Sequence, residues 1–184
     1  MELNYVTSSS YKVFMTKQFM APFGISVSQI KMDTPEIQDN DVTVVAKYSS
    51  QYAFEKLGVP LLKNDGGLYI PALNDFPGAF TKFAENMLGE DGILTLMQNK
   101  TDRTAYWLEA LAYTDKNGTK VFVCKTMGKI ATEKSGKYGW GYDRIFIPDG
   151  QTKTLANFED EPRGLLWDNS GYVKLAQYIQ KSQS

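Results

Sequence analysis

The chain is most constrained at residues 59–67, where a short apolar run meets an acid and two glycines. The run predicts a buried strand, and Gly66 with Gly67 predicts that the strand ends there. Because glycine has no Cβ, the backbone could turn sharply and approach a ligand closely. Asp65 would then lie at a strand end, where α/β proteins commonly place their chemistry. A plain β-turn with a solvated aspartate explains the same residues.

The first part of the chain alternates between strand and helix patterns. Half-apolar or alternating runs at residues 2–6 and 25–32 predict strands. Apolar residues at helical spacing over residues 40–57 predict a helix, and Gly58 predicts its end. This order of elements indicates an α/β arrangement.

The later part predicts a helix and a hairpin. The elements expected are, in chain order, a helix at residues 82–97, strands at 101–114 and 121–125, and a helix at 169–180. The first of these helices contains Gly89 and Gly92, and either could break it. The turn at residues 115–118 contains Asn-Gly, a strong signal for an antiparallel hairpin.

Composition excludes several classes of chemistry. The 184 residues suit a single domain spanning residues 1–184, and no run approaches the ~20 apolar residues of a membrane span. The net charge of −1 gives no basic excess for binding nucleic acid. The absence of histidine excludes His-based nucleophile systems and His-ligated zinc. The one cysteine, Cys124, excludes an intramolecular disulfide and favours a reducing, cytoplasmic location.

Two segments could bind ligands. Residues 7–12, TSSSYK, lead into a helical pattern, where hydroxyl and backbone N–H groups could hold an anion or simply cap the helix. Capping does not explain Lys12, because a cation is unfavourable near a helix N-terminus. Residues 135–150, SGKYGWGYDRIFIPDG, mix glycines with aromatics that could stack on a flat base or fill a buried loop.

These segments together resemble the inosine/xanthosine triphosphate pyrophosphatases, which remove non-standard purine nucleoside triphosphates. Residues 65–80, DGGLYIPALNDFPGAF, are similar to that family's D-[ST]-G-L-x-x-x-A-L-x-G-x-P-G segment. Residues 7–12 resemble its T-G-N-x-x-K phosphate loop, and residues 35–38 its P-E-[IL]-Q element. Residues 139–150 resemble its G-x-G-[WFY]-D-P-x-F-x-P-x-G segment, and residues 153–154 its following K-T.

The resemblance implies a fold, an activity and an assembly. The fold would be an elongated, mixed, twisted sheet with helices, in two lobes with a nucleotide cleft between them. The activity would be hydrolysis of nucleoside triphosphates to monophosphate and pyrophosphate, with Mg²⁺ or Mn²⁺ as cofactor. The protein would be a homodimer, as members of that family generally are.

The resemblance also implies the site residues. The metal ligands would be Glu36 and Asp65, with Asp65 also acting as the catalytic base or water orienter. The phosphate-binding residues would be Thr7, Ser8, Ser9 and Lys12, and the base-binding residues Tyr142 and Asp143.

Several positions depart from the family's pattern. Ser49 stands where the family places a helix lysine, Gly66 where it has a hydroxyl residue, and Arg144 where it has proline. Residues 166–168, Leu-Trp-Asp, replace the family's base-reading Ser-His-Arg, for which Arg144 and Arg163 are possible substitutes. These departures leave two hypotheses: a pyrophosphatase with altered base preference, or a non-catalytic nucleotide-binding protein on the same scaffold.

Overall fold

The computed structural model describes residues 1–35 and 37–182 as a mixed α/β protein. The strands of the described part are β1 Glu2–Val6, β2 Ser26–Ile30, β3 Leu61–Ile70, β4 Phe76–Gly78, β5 Thr104–Asp115, β6 Gly118–Ile130 and β7 Phe146–Pro148. The α-helices of the described part are α1 Ser10–Met20, α2 Val42–Leu57, α3 Thr81–Leu96, α4 Asp160–Gly164 and α5 Ser170–Ser182. None of the described helices is both long enough and apolar enough to cross a membrane.

The strands form one sheet with both parallel and antiparallel pairs. Its order is β2-β1-β3-β5-β6-β7, and β4 pairs with β3. β1 runs parallel to β2 and β3, while the β3–β4 and β6–β7 pairs are antiparallel. β5 and β6 are neighbours joined by the two-residue turn at Lys116 and Asn117. The predicted α/β class with a mixed sheet, and the predicted hairpin, are confirmed.

The helices begin and end at the residues that local chemistry favours. Asp41 caps α2, because its Oδ1 accepts a hydrogen bond from the Thr43 N–H at 2.8 Å. Gly58 ends the same helix with a φ of 67°, the left-handed conformation common at helix ends. α3 is interrupted at Gly89, whose φ of 61° and ψ of −168° are not helical. The expected end of α2 at Gly58 and the expected break in α3 are therefore confirmed.

The predicted end of β3 is wrong. The strand runs through Asp65, Gly66 and Gly67 and continues to Ile70. A Cβ added at Gly67 would collide with the backbone carbonyl of Gly78 on β4, the strand that pairs with β3 at this point. Glycine at this position lets two strands approach each other closely, and it does not make a turn.

The chain divides into two compact units. The first unit comprises residues 1–65, 109–124 and 169–184, of which the structure describes those up to 182 apart from residue 36. The buried core of the first unit includes Leu3, Tyr5, Val13, Met20, Val27, Leu62, Leu111, Tyr172 and Leu175. The second unit comprises residues 66–108 and 125–168. The buried core of the second unit includes Leu68, Ile70, Ile93, Met97, Ile130, Tyr142, Ile145, Phe146 and Leu155.

Candidate active site

The first unit contains a polar cavity of about 170 Å³. It is lined by Thr7, Ser8, Ser9, Lys12, Val45, Ser49, Lys63, Asn64 and Asp65. The four residues proposed for phosphate binding therefore share one cavity with the proposed catalytic aspartate. They come from the N-terminus of α1 and from β3. Strand β1 pairs with β3 in the parallel direction.

The hydroxyl groups at the start of α1 also cap the helix. Ser9 is the N-cap residue, and its Oγ accepts a hydrogen bond from the Lys12 N–H at 3.2 Å. The Ser9 N–H in turn donates to Thr7 Oγ1 at 3.2 Å. The capping interpretation is correct for Ser9, and the polar cavity beside it supports the anion-binding interpretation as well. The positive end of the helix dipole favours an anion at this place.

Lys12 is held by the strand that carries Asp65. Its Nζ donates a hydrogen bond to Asn64 Oδ1 at 3.2 Å. The Asn64 Nδ2 donates to Glu109 Oε1 on β5, and the Tyr172 hydroxyl donates to the same Glu109 oxygen at 3.2 Å. No sequence pattern points to Asn64 or Glu109, because 45 residues separate them and only strand pairing brings them together.

Lys63 is a second lysine in the cavity that sequence reasoning missed. Side chains alternate along a strand, so Lys63 and Asp65 share one face of β3, and Asn64, which also lines the cavity and contacts Lys12, extends from the other face. Ser49, on α2, lines the same cavity, is 2% exposed, and donates its hydroxyl to the Pro35 carbonyl at 3.2 Å. The cavity therefore has its second lysine on β3, while α2 contributes a buried serine.

The donors in the cavity suit a hard divalent cation. Asp65 is the one carboxylate among the described residues that line it, and the hydroxyl side chains of Thr7, Ser8, Ser9 and Ser49 line it too. Mg²⁺ is commonly held by one or two carboxylates together with substrate phosphates. Glu36, the other expected metal ligand, lies outside the described residues. Within the described ranges, no group of three or more acidic or cysteine side chains is arranged to hold a metal ion.

The two residues expected to bind the base lie in the second unit and are buried. Tyr142 belongs to the core cluster, and its burial, followed by the charges of Glu85 and Glu90, raises its pKa to about 12. Asp143 accepts a hydrogen bond from the Trp140 N–H at 3.3 Å, and its Oδ2 lies 3.6 Å from Arg163 Nε. Burial raises the pKa of Asp143 to about 6, against the opposing effects of Trp140 and Arg163.

Both arginines considered as substitute base readers make ion pairs within the second unit. Arg163 is 1% exposed and also pairs with Asp160, from Nη2 to Oδ1 at 2.7 Å. Its guanidinium lies 5.0 Å from the ring centre of Trp140. Arg144 Nη1 lies 3.4 Å from Glu90 Oε2. Arg163 thus holds the loop at residues 135–145 in place from inside.

The Leu-Trp-Asp segment at residues 166–168 makes packing contacts and backbone hydrogen bonds. Trp167 packs edge-on against Trp107, with ring centres 5.9 Å apart. The Asp168 carboxylate accepts a hydrogen bond from the Lys125 N–H at 2.8 Å, and the Asp168 N–H donates to Thr126 Oγ1 at 2.9 Å. These contacts therefore anchor the segment to β5 and β6.

A larger cavity of about 300 Å³ in the first unit has less suitable chemistry. Much of its lining is apolar, including Phe54, Pro60 and Ile179. Its one acid among the described lining residues, Asp115, accepts a hydrogen bond from the Asn117 N–H at 2.7 Å and so stabilises the β5–β6 turn. The smaller, polar cavity is the better candidate site.

The fold and the smaller cavity define a mixed α/β protein with the chemistry of an anion-binding site at a helix N-terminus. The chain belongs to the Ham1 family, whose model matches residues 3–164. This confirms the resemblance to the inosine/xanthosine triphosphate pyrophosphatases.

Relatives and solved structures agree with this assignment. A dITP/XTP pyrophosphatase from Methanopyrus kandleri is 35% identical over 164 residues, covering 89% of this chain and 87% of the relative. One from Thermococcus kodakarensis is 36% identical over 163 residues, covering 89% and 88%. The Staphylococcus aureus Ham1 protein has the same fold, with a TM-score of 0.82 at 24% identity and full coverage of both chains. A HAM1 protein from Coxiella burnetii also has a TM-score of 0.82, at 22% identity, covering 98% of this chain and 99% of that protein.

Proposed function

We propose that the protein hydrolyses non-standard purine nucleoside triphosphates, of the dITP and XTP class, to the monophosphate and pyrophosphate. The relatives that bear the name dITP/XTP pyrophosphatase support this substrate class. The observation that carries the proposal is the cavity that gathers Thr7, Ser8, Ser9, Lys12 and Asp65. Hydroxyls, a lysine and a carboxylate are what pyrophosphate release needs at the phosphate chain.

In this reaction a water oxygen bonds to the α-phosphorus while the bond from that phosphorus to the pyrophosphate oxygen breaks. Asp65 would orient the water and accept its proton. Lys12 and Lys63 would face the negative charge that grows on the departing pyrophosphate. The hydroxyls of Thr7, Ser8 and Ser9 would fix the chain of phosphates in register.

A divalent cation, Mg²⁺ or Mn²⁺, completes the proposal. Asp65 and Glu36 would hold it. The bound cation would neutralise phosphate charge and lower the pKa of a coordinated water. The carboxylate and hydroxyl oxygens of the cavity are hard donors that match either ion.

Tyr142 and Asp143 remain our proposal for the base side of the site. Because both side chains are buried, they would act by shaping the loop at residues 135–145. Trp140 is the large aromatic that this loop exposes, at 55%, and so offers a face on which a base can stack. We also propose that residues 1–184 work as one domain, that the protein is a homodimer, and that it is cytoplasmic.

The proposal is tested by supplying dITP, XTP, dATP and dGTP with Mg²⁺ and measuring monophosphate and pyrophosphate. We expect release from dITP and XTP, and a loss of at least ~100-fold in kcat for Asp65→Asn, the scale of a lost general base. Asp149→Asn, at an exposed position outside the cavity, is the matched control and should keep its rate. Nucleotide binding without turnover would instead identify a non-catalytic nucleotide-binding protein.

A further inference from the structure

A chain of hydrogen bonds leads away from the cavity behind Lys12. It runs from Lys12 Nζ to Asn64 Oδ1 at 3.2 Å, and from Asn64 Nδ2 to Glu109 Oε1. The Tyr172 hydroxyl donates to the same Glu109 oxygen at 3.2 Å. These four residues come from α1, β3, β5 and α5, all within the first unit.

The Asn64 amide is orientated by its two partners. A lysine ammonium only donates hydrogen bonds, and a carboxylate only accepts them. Asn64 is 7% exposed, and its amide can satisfy both partners in one orientation, with the carbonyl toward Lys12 and the NH₂ group toward Glu109. Glu109 therefore determines which end of the amide faces the cavity.

Glu109 is itself fixed by its surroundings. Burial, and after it the charge of Glu109, raises the pKa of both Tyr172 and Tyr5 well above the ordinary value for tyrosine. Both phenols therefore stay protonated at neutral pH, and Tyr172 remains a donor to Glu109. A carboxylate beside this apolar core is expensive to bury unless hydrogen bonds such as these satisfy it.

We propose that Glu109 is a positioning residue, which acts through Asn64 to hold the Lys12 ammonium in place for the phosphate chain. This proposal rests on the role of Lys12 in the proposed function. Hydrogen bonding and charge predict opposite effects for removal of Glu109. A lost anchor for Lys12 weakens phosphate binding, whereas a lost negative charge near the cavity strengthens it.

A double-mutant cycle tests the proposal with inorganic tripolyphosphate as the probe. Its dissociation constant is measured by calorimetry for the wild type, Glu109→Met, Lys12→Met and the double variant. We expect Glu109→Met to weaken binding about tenfold, the size of one lost hydrogen bond to a charged group. In the Lys12→Met background the same change should not weaken binding further, because the group that Glu109 positions is gone.

Three further variants separate positioning from general packing. Glu109→Gln keeps an acceptor oxygen on a side chain of the same length and should bind within about twofold of the wild type. Asn64→Leu breaks the same chain at its middle and should weaken binding as Glu109→Met does, so it carries the test if that variant fails to fold. Tyr172→Phe leaves the bond between Asn64 and Glu109 in place and should retain most of the affinity.

Binding and turnover are measured separately, so the two proposals fail in different ways. The role of Glu109 is overturned if Glu109→Met binds tripolyphosphate as tightly as the wild type or more tightly. An additive cycle, or an equal loss in Tyr172→Phe, overturns it as well. Wild-type protein that binds tripolyphosphate but hydrolyses neither dITP nor XTP overturns the proposed function alone, and the cycle still decides the role of Glu109. Wild-type protein that hydrolyses dITP or XTP but does not bind the probe overturns the role of Glu109 alone.

Discussion

Lys63 makes the cavity more cationic than the phosphate-loop residues alone would. It shares a face of β3 with Asp65, and both line the cavity with Lys12. Among the described residues that line the cavity, two lysines and one carboxylate leave an excess of positive charge, in a chain whose net charge is −1. That excess opposes the charge of a triphosphate, and Mg²⁺ would add to it.

Replacing Lys63 with methionine should therefore raise the KM for dITP about tenfold, the effect of one lost hydrogen bond or ion pair to a charged group. Lys47→Met, at an exposed position on α2 outside the cavity, removes the same charge elsewhere and is the matched control. Steady-state kinetics at low and moderate salt measure both variants. Equal effects of the two substitutions would show that only the overall charge of the protein matters.

Asp143 makes stability depend on pH. Its pKa is raised to about 6 in the folded protein from 3.8, mainly by burial. Between these values the folded state keeps a proton that the unfolded state has released. The contribution of this carboxyl to stability is therefore fully present below about pH 4 and is lost as the pH rises through about 6.

Asp143→Asn mimics the protonated carboxyl at every pH and removes this dependence. We expect the difference in free energy of unfolding, variant minus wild type, to increase by about 1–2 kcal/mol from pH 4 to pH 6.5. Urea unfolding at four pH values measures the difference. A constant difference across that range would show that the buried carboxyl does not titrate there.

At the residue scale, the motif residues could be predicted from the sequence and their partners could not. Thr7, Ser9, Lys12 and Asp65 were assigned to one site by their resemblance to known motifs, and they do share a cavity. Lys63 adjoins that motif, but only the position of the strand in the sheet decides which of its faces meets α1 and which meets α2. Predicting the contact of Glu109 with Asn64 requires the order of β3 and β5 in the sheet, which local sequence does not encode.

At the element scale, glycine gave two correct predictions and one wrong one. Gly58 and Gly89 adopt positive φ values, as glycines that end or interrupt helices do. Gly67 does not have a positive φ, and β3 passes through it because a neighbouring backbone occupies the space of a side chain. The sequence shows that Gly67 is a glycine, but the reason for it is the close approach of β4 at Gly78, eleven residues further along the chain.

Gly67→Ala should therefore destabilise the protein by more than backbone strain alone would. The new Cβ would collide with the Gly78 carbonyl, and a backbone atom cannot move away as a flexible side chain can. We expect a loss of about 2–3 kcal/mol, in the range for overpacked sites, in urea unfolding. Gly24→Ala, at a φ of 67° with open space around it, should cost about 1 kcal/mol, and a similar loss in both would argue against the collision.

At the scale of the whole molecule, the order of strand and helix patterns predicts the α/β class, whereas the expectation of two lobes comes from the family resemblance alone. β3, β5 and β6 each contribute residues to both units, so no boundary in composition marks where one unit ends. The sequence also does not reveal that the interior of the second unit contains an arginine. Arg163, a residue type that is usually exposed, is 1% exposed because Asp143 and Asp160 compensate its charge.

The proposed homodimer needs a surface, and α3 offers large apolar side chains for one. Phe80, Phe83 and Met87 recur at helical spacing, and the last two are 66% and 68% exposed. Exposed apolar groups that adjoin one another commonly mark contact sites between proteins. A second copy of the chain that packed on the exposed face of α3 would remove these apolar side chains from water.

Phe83→Glu places a charge in that face and should convert a dimer into a monomer, because burying an unpaired carboxylate costs more than the contact gains. Light scattering after size-exclusion chromatography measures the mass directly, before and after the substitution. Leu165→Glu is the matched control, since Leu165 is 72% exposed and lies at the end of α4. A dimer that survives Phe83→Glu places the contact elsewhere, and a monomeric wild type removes the homodimer from the proposal. A dimer lost in both variants would mean that added negative charge, and not the α3 face, governs association.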